Sequence, residues 1–438
     1  MSAKRSELNP HGNPLGICQH VAAAPEDGYI TWFSGSGKEF YWVCLACSNQ
    51  FPDLPESLLT SINEILENCQ TEATACNGVV GSPEVKQRSS SIHFEYYDYP
   101  QSFDGKTIDI QPHSKSPDDW FVLFDSGELA IINPTQNKMR TLFQLTNLGF
   151  DLDDETELRI APKHDFAAVF GASKQQGCVF DLQTGAVSAR IDRGNYRPEN
   201  SRFPVAFFEY KSQSLLVVGT AWNRLDIIDP ATGRVLTERE TTSSTQDSGH
   251  HEHHLDYFHA ELVVSPGGNW IADNGWVWSP RGVIRSWNLV DWLEQNPWES
   301  EDGPSLKELA DRAYYWDGPL CWVDNSTIAI WGWGHDDEWL IPAIRLFDVK
   351  TGHELNWFPG PQTRSPRAWT PKKLAPSLFY DNYLFSVHDD HGTSVWDVST
   401  GERLHTEPSL VPIHFHPVSK TFLSVTPAGI RLSRMSTK

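Results

Sequence analysis

The chain is poor in positive charge and in methionine. Its 438 residues hold 35 Lys and Arg against 57 Asp and Glu, a formal net charge of −22, and only 3 Met. Nucleic-acid binding needs concentrated Lys and Arg, so this balance argues against it. It favours a basic partner, or simply solubility. No apolar run approaches the ~20 residues of a membrane span, and the opening Met-Ser-Ala-Lys-Arg-Ser-Glu-Leu-Asn-Pro has no apolar stretch of the secretory kind. Cysteines number 7, an odd count with two pairs close in sequence, which points to a reducing, cytoplasmic setting. A Ser-His-Asp spacing, a phosphate-cradling glycine loop and an H-E-x-x-H helix are all missing.

What is present is a repeated phrase. It reads Val179-Phe-Asp-Leu-Gln-Thr-Gly185, then Ile227-Ile-Asp-Pro-Ala-Thr-Gly233, Leu346-Phe-Asp-Val-Lys-Thr-Gly352 and Val395-Trp-Asp-Val-Ser-Thr-Gly401. Each copy is an apolar strand end, an aspartate, two residues and a Thr-Gly turn. Degenerate copies end at Asn133 and Asn288. A period between about 40 and 50 residues built of short strands predicts the blades of a β-propeller.

Each blade needs four strands, a to d from the axis outward. Blade two reads as Glu157–Ala161, Phe166–Gly171, Gly177–Asp181 and Val187–Ile191, and blade three as Phe203–Tyr210, Leu215–Thr220, Arg224–Asp229 and Arg234–Arg239. After six such units the C-terminus supplies only Val411–His416, Thr421–Thr426 and Gly429–Arg434, while Ser91–Tyr99 is a strand without a blade. Seven blades, the last closed by the N-terminal strand, solve both problems and remove the exposed sheet edges. The expected fold is therefore all-β: a seven-bladed propeller of four-stranded blades over residues 91–438.

Ser394-Val-Trp396-Asp397, a Trp-Asp dipeptide ending a third strand, resembles the WD40-like propeller superfamily, and the resemblance covers roughly residues 91–438. Only this blade carries Trp-Asp, and none carries Gly-His before its first strand. The resemblance implies architecture rather than a particular function.

Residues 1–70 fall outside the repeat. Cys18-Gln-His20 and Cys44-Leu-Ala-Cys47 flank a hairpin pattern, Tyr29–Ser34 and Glu39–Val43 around Gly-Ser-Gly. Two such knuckles supply four donors for tetrahedral Zn²⁺, so Cys18, His20, Cys44 and Cys47 are the expected ligands of one structural zinc. Cys69 and Cys76 could replace His20. The wording is also similar to fragments of the ubiquitin-binding zinc fingers of deubiquitinases, whose remaining ligands this sequence lacks. A helix with Leu58, Leu59, Ile62, Ile65 and Leu66 on one face is expected after Asp53-Leu-Pro55, and residues 71–90 read as a linker.

In a propeller the b–c loops and d–a connections share one face. The b–c loops here hold Trp222, then Trp276 and Trp278, then Trp333, His335, Asp336 and Asp337, then His388, Asp389 and Asp390; His250–His254 lies in the d–a connection into blade four. Trp222, Trp276, Trp333, His335, Asp336, Asp337, Asp389 and Asp390 are the candidate partner-binding residues, because aromatic anchors with acidic neighbours suit Lys and Arg of a basic protein. The expectation is a non-enzymatic interaction module, with neutralisation of a basic effector or toxin as a narrower form. The alternative is a metal-dependent hydrolase or lyase using His335, Asp336, His388 and Asp389. Residues 289–316 read as an insertion after the third strand of blade four, with Leu289–Gln295 as one helix and a capping box, Ser305 to Glu308, opening another.

Overall fold

The repeated Asp-x-x-Thr-Gly phrase folds the same way each time, and it sets the blade. Asp181 Oδ1 accepts hydrogen bonds from the Gln183 and Thr184 amides, and Gly185 N donates to the Asp181 carbonyl at 2.8 Å. Asp229, Asp348 and Asp397 make the corresponding turns. Gly185, Gly233, Gly352 and Gly401 all sit at left-handed φ, between 69° and 77°, where glycine has no Cβ to clash.

In this computed structural model the described residues are the strands Gly16–Ile17, Tyr29–Phe33 and Phe40–Cys44, then residues 85–100, 105–240, 253, 255–278, 281–313, 318–333, 342–360, 377–388, 391–426 and 429–437. Seven sheets follow one another around a ring, each inner strand lying beside the inner strand of a neighbour wherever that contact is substantial. Blade one is Thr107–Pro112, Trp120–Phe124, Glu128–Asn133 and Lys138–Gln144. Blade two is Thr156–Ile160, Phe166–Gly171, Gln176–Asp181 and Val187–Asp192. Blade five is Leu320–Trp322, Thr327–Trp333, Pro342–Asp348 and Glu354–Pro359. Blade six is Ser377–Asp381, Tyr383–His388, Gly392–Asp397 and Glu402–Glu407.

Blade seven joins the two ends of the ring. His414–His416, Thr421–Thr426 and Gly429–Thr437 are completed by Ile92–Pro100, which pairs antiparallel from Thr437↔Ile92 to Gly429↔Pro100. Ahead of that strand, residues 86–88 lie along the outer edge of blade six. Arg403 N donates to the Lys86 carbonyl, Arg88 N donates to the Arg403 carbonyl, and the Arg88 guanidinium pairs with Asp397 and Glu402.

Blades three and four depart from four strands. Blade three has three: Val205–Tyr210, Gln213–Ala221 and Arg224–Ile228. The expected fourth strand, Arg234–Arg239, is reduced to one antiparallel bridge, Ile228↔Val235, with Leu236 N donating to the Ile227 carbonyl, and beyond it side chains take the bonds a ladder would have made. Thr237 Oγ1 accepts from Ile227 N, Arg239 Nη2 donates to the Leu225 carbonyl, and Arg239 Nη1 reaches Asp226 at 2.7 Å with both side chains 2% exposed. Glu301 completes this pairing from the insertion.

Blade four has five strands: Leu262–Val264, Trp270–Asp273, Arg281–Asn288 and Lys307–Ala313, plus Trp276–Val277, which extends the b–c hairpin. Between its third and outermost strands lie helix α1 (Leu289–Glu294), capped by Asn288, and helix α2 (Glu299–Asp302). The capping-box helix at Ser305 is absent. Buried Glu299 binds the Ser305 amide and hydroxyl instead, and Asn288 N donates to Ser305 Oγ.

Apolar clusters fill the wedges between neighbouring blades, such as Phe170 with Phe203 and Val205, or Trp331 and Leu346 with Leu378 and Trp396. Trp120, Trp276, Trp287, Trp292, Trp331 and Trp396 are fully buried. Burying a large apolar side chain contributes about 1.5–3 kcal/mol, which explains the use of so many tryptophans in the wedges. Near the N-terminus, Tyr29–Phe33 and Phe40–Cys44 form the expected hairpin, and Gly16–Ile17 joins it in parallel. The zinc ligands Cys18, His20 and Cys47, the expected helix beyond Asp53 and most of the expected linker lie outside the described residues. Cys44 ends a strand whose side chains are also outside the description.

Candidate functional site

The face carrying the b–c loops and d–a connections presents a run of touching aromatic rings. It crosses from the connection entering blade three to the b–c hairpin of blade four. Tyr196 and Trp222 have ring centroids 5.3 Å apart, and Trp222 and Phe258 are at 4.5 Å. Phe258 stacks on Trp276 at 4.3 Å and 16°, and Trp278 stands edge-on to both, at 5.4 and 5.2 Å. The ends of the run are open to solvent: Tyr196 is 48% exposed and Trp278 47%. Beside the rings a crevice is lined by Tyr196, Arg197, Pro198, Trp222, Phe258 and His259.

The backbone fixes this arrangement. Phe258 N donates to the Trp276 carbonyl and Trp276 N to the Phe258 carbonyl, so the connection into blade four is zipped to the b–c hairpin. His259 N donates to the Trp222 carbonyl and Asn223 Nδ2 to the Leu255 carbonyl, which ties in blade three. On the other side, buried Arg193 grips the carbonyls of Lys174, Pro198 and Ser201 and so holds the loop that presents Tyr196. Gly275 is required here, since a Cβ would lie 2.3 Å from the Phe258 carbonyl oxygen and 2.4 Å from the Tyr257 ring.

Beneath the rings lies a buried polar layer. Tyr257 Oη donates to the Val283 carbonyl at 2.8 Å and accepts from Gly275 N at 2.9 Å. Burial pushes this phenol well above its ordinary value, and the Arg285 guanidinium lies over its ring at 4.3 Å. His259 Nδ1 is 2.5 Å from Asp273 Oδ2, and Ala260 N donates to Asp273 Oδ1. Buried hydrogen bonds of this kind lock a surface loop as firmly as apolar packing does. The rings are therefore presented preformed, with little entropy left to lose on binding.

Of the residues singled out in the sequence, Trp222 stands half-buried in the crevice wall. Trp276, 2% exposed, lies under the surface and supports Phe258 and Trp278 rather than meeting a partner itself. Trp333 ends the second strand of blade five, paired with Pro342, and its side chain is outside the description. His335, Asp336, Asp337, Asp389 and Asp390 also lie outside the described residues. His388 is 2% exposed at the end of the second strand of blade six, stacked on His391 at 4.9 Å. His253, from the histidine-rich connection, stacks on Trp298 at 4.4 Å and reaches Asp302 at 2.8 Å. Among the described residues no group of three or more His, Cys, Asp or Glu side chains could hold a metal ion.

Sequence reasoning missed Tyr196 and Phe258. Both sit in d–a connections, which topology puts on the same face as the b–c loops, so an aromatic count of those connections would have found them.

The fold thus defines a seven-bladed β-propeller with an aromatic surface between blades three and four. Compared with known proteins, the chain matches no family model, and the comparison with curated proteins finds no match.

Proposed function

We propose that this propeller is a non-enzymatic protein-interaction module that captures a partner on the face carrying the b–c loops. The supporting observation is the continuous run from Tyr196 to Trp278, exposed at both ends and rigidly backed. Isolated exposed aromatics are ordinary, whereas a contiguous preorganised set is the composition of a binding hot spot. Asp336, Asp337, Asp389 and Asp390, with Trp333 and His335, supply the acidic flank for a basic partner, and neutralising a basic effector or toxin is one form of this activity. The protein works in the cytoplasm. Its architecture is of the WD40-like kind, for which Trp396-Asp397 is the sequence support.

Capture of partners from native extract by the intact protein is the test, compared with a Tyr196→Ala/Trp278→Ala double variant. Both side chains are half-exposed, so the ring survives their loss. Capture falling at least tenfold supports the reading, and unchanged capture by the folded variant rejects it.

The N-terminal segment uses Cys18, His20, Cys44 and Cys47 to hold one structural zinc. In support, Ile17 pairs with Trp42 while Tyr29 pairs with Cys44, so the strand that leads into Cys18 runs beside the strand that ends in Cys44. Thiolate and imidazole donors would close the coordination sphere and leave it no chemistry. Elemental analysis of freshly purified protein should give about one zinc per chain; less than half an equivalent removes the assignment.

A further inference from the structure

At the opposite face, where the a–b turns gather around the axis, three histidines follow one another across blades seven, one and two. His416 is fully buried at the junction of blades seven and one. Its Nε2 is 3.2 Å from the carbonyl oxygen of Asp119 in blade one, and its Nδ1 is 3.3 Å from Val418 N and 3.4 Å from Ser419 N in its own turn. A carbonyl can only accept and a backbone amide can only donate. The ring must therefore be neutral, with the proton on Nε2. A second proton on Nδ1 would point at two N–H groups in a site without solvent.

The same Asp119 oxygen accepts from His113 N at 3.1 Å. The His113 ring stacks on Phe121 at 5.1 Å and meets His164 of blade two edge-on at 4.2 Å. His164 Nε2 is 2.8 Å from Ser114 Oγ. Two imidazoles at this distance cannot both be cations without strong repulsion. We propose that the seam joining blades seven, one and two is an acid-released latch, with His416 as its pin and the His113–His164 contact as its continuation. Lowering the pH opens this side of the ring while the other blades stay closed.

The surroundings of the three rings act in both directions: across the same seam His414 Nε2 lies 3.7 Å from Asp109 Oδ1, a contact that acid does not release, and the Asp119 and Ser116 carbonyls favour the cationic form of His416. Asp118 and Asp119 of blade one favour the cationic forms of His416 and His113, and Asp165 does so for His164. Burial opposes them and is the larger influence in each case. It is aided by His113 acting on His416 and His164, by Lys115 acting on His113 and His164, and by Arg140 acting on His113. Lys420, in the turn of His416, is paired with Asp381 at 2.7 Å. The net direction is down for all three, and His164 is lowered to about 4. The sign follows from linkage. A histidine held below its ordinary value of about 6.5 contributes fully above that pH, and its contribution is lost as the pH falls through the folded-state value, because the opened state takes up the proton first. The window is therefore from about pH 6.5 down to about 4.

The test uses the full chain. Urea unfolding of the native protein and of His416→Gln is measured between pH 7.5 and 5. Glutamine can donate to the Asp119 carbonyl and accept from the turn amides without titrating. The unfolding constant of the native protein should rise more steeply with acid than that of the variant, by up to about tenfold per pH unit for the one proton that His416 takes up on opening. Identical slopes overturn the proposal. Amide exchange of the native protein, corrected for intrinsic rates, serves if the variant fails to fold. Protection over residues 113–120 and 416–420 should fall at least tenfold from pH 7.5 to 5.5 relative to blades four and five, and a uniform change across the ring overturns the proposal equally.

Discussion

Lys115 Nζ donates to the main-chain carbonyl of Lys163 at 2.6 Å, and Lys163 Nζ in turn donates to the carbonyl of Ser212 at 2.5 Å. The two lysines occupy equivalent a–b turns in successive blades. Each fastens its own turn to the next one around the ring, so the repeat period of the sequence becomes a repeated tie between blades.

Substituting Lys163 by Met keeps the aliphatic stem and removes this tie. Net hydrogen-bond contributions run at about 0.5–1.5 kcal/mol, so thermal or urea unfolding should show a loss in that range. The acceptor of Lys115 is a backbone oxygen that survives the change. The Lys115→Met/Lys163→Met double variant should therefore lose the sum of the two single losses, which a double-mutant cycle measures directly.

Arg239→Met should be more damaging. The guanidinium sits between Asp226 and Glu301 and also serves the Leu225 carbonyl, with the Asp226 side chain only 2% exposed. Asp226 keeps its bidentate pair with Arg224, so the loss falls on Glu301 and the Leu225 carbonyl and should come to about 1–3 kcal/mol. A chemical denaturation curve of the variant checks this. A loss below about 1 kcal/mol would mean that the edge of blade three does not depend on the pair.

On the aromatic face, position decides what each variant reports. Trp276→Ala should lower stability by about 3–5 kcal/mol because it empties a buried site. Its binding loss would then say little about contact. Trp222→Ala, Tyr196→Ala and Trp278→Ala should leave melting within a few degrees and weaken partner capture. Charge reversal of Asp336, Asp337, Asp389 and Asp390 together should slow association without unfolding, with added salt acting in the same direction. Association rates that ignore both changes would remove the acidic flank from the proposed surface.

The closing strand gives a prediction by truncation. A fragment starting at residue 85 should fold. One starting at residue 101 should not, because Gly429–Thr437 loses its partner along its whole length. Starting at residue 91 instead of 85 should cost stability without loss of fold, since the tie of residues 86–88 to Arg403, the Arg88 pairs with Asp397 and Glu402, the Ser90 bond to the Leu404 carbonyl and the Val85 packing disappear while the nine-residue pairing stays. Circular dichroism and gel filtration of the three fragments separate these outcomes.

The parts of the fold written in local chemistry were legible. An aspartate that caps its own turn and a glycine at left-handed φ need only neighbours a few residues away, so the blade phrase shows in the sequence. The closing strand was legible by counting, as Ser91–Tyr99 had nowhere else to pair. Arg234–Arg239 misled because its pattern is that of a strand, while its fate was set by Asp226 and by Glu301 in an insertion. Ser305 to Glu308 misled in the same way, since Glu299 and Asn288 claim Ser305. In the candidate site, Trp222 and Trp276 were visible as loop tryptophans, but which of them is buried depends on Phe258 crossing between them. His416 looked like the end of a short strand. Its role rests on a carbonyl contributed 297 residues away.

The strand that completes blade seven is made early and its partner much later. Ile92–Pro100 leaves the ribosome well before Gly429–Thr437 is translated, and Phe94, Tyr96 and Tyr99 remain without their final neighbours for that whole interval. Blades one to six can assemble in order during synthesis, yet none of them can be locked into a ring until Gly429–Thr437 has been made. Such non-local pairing is slow and leaves aromatic strand edges open to other chains. This architecture therefore places its greatest demand on the cell at ring closure, when one nine-residue strand must find the other before a second copy does.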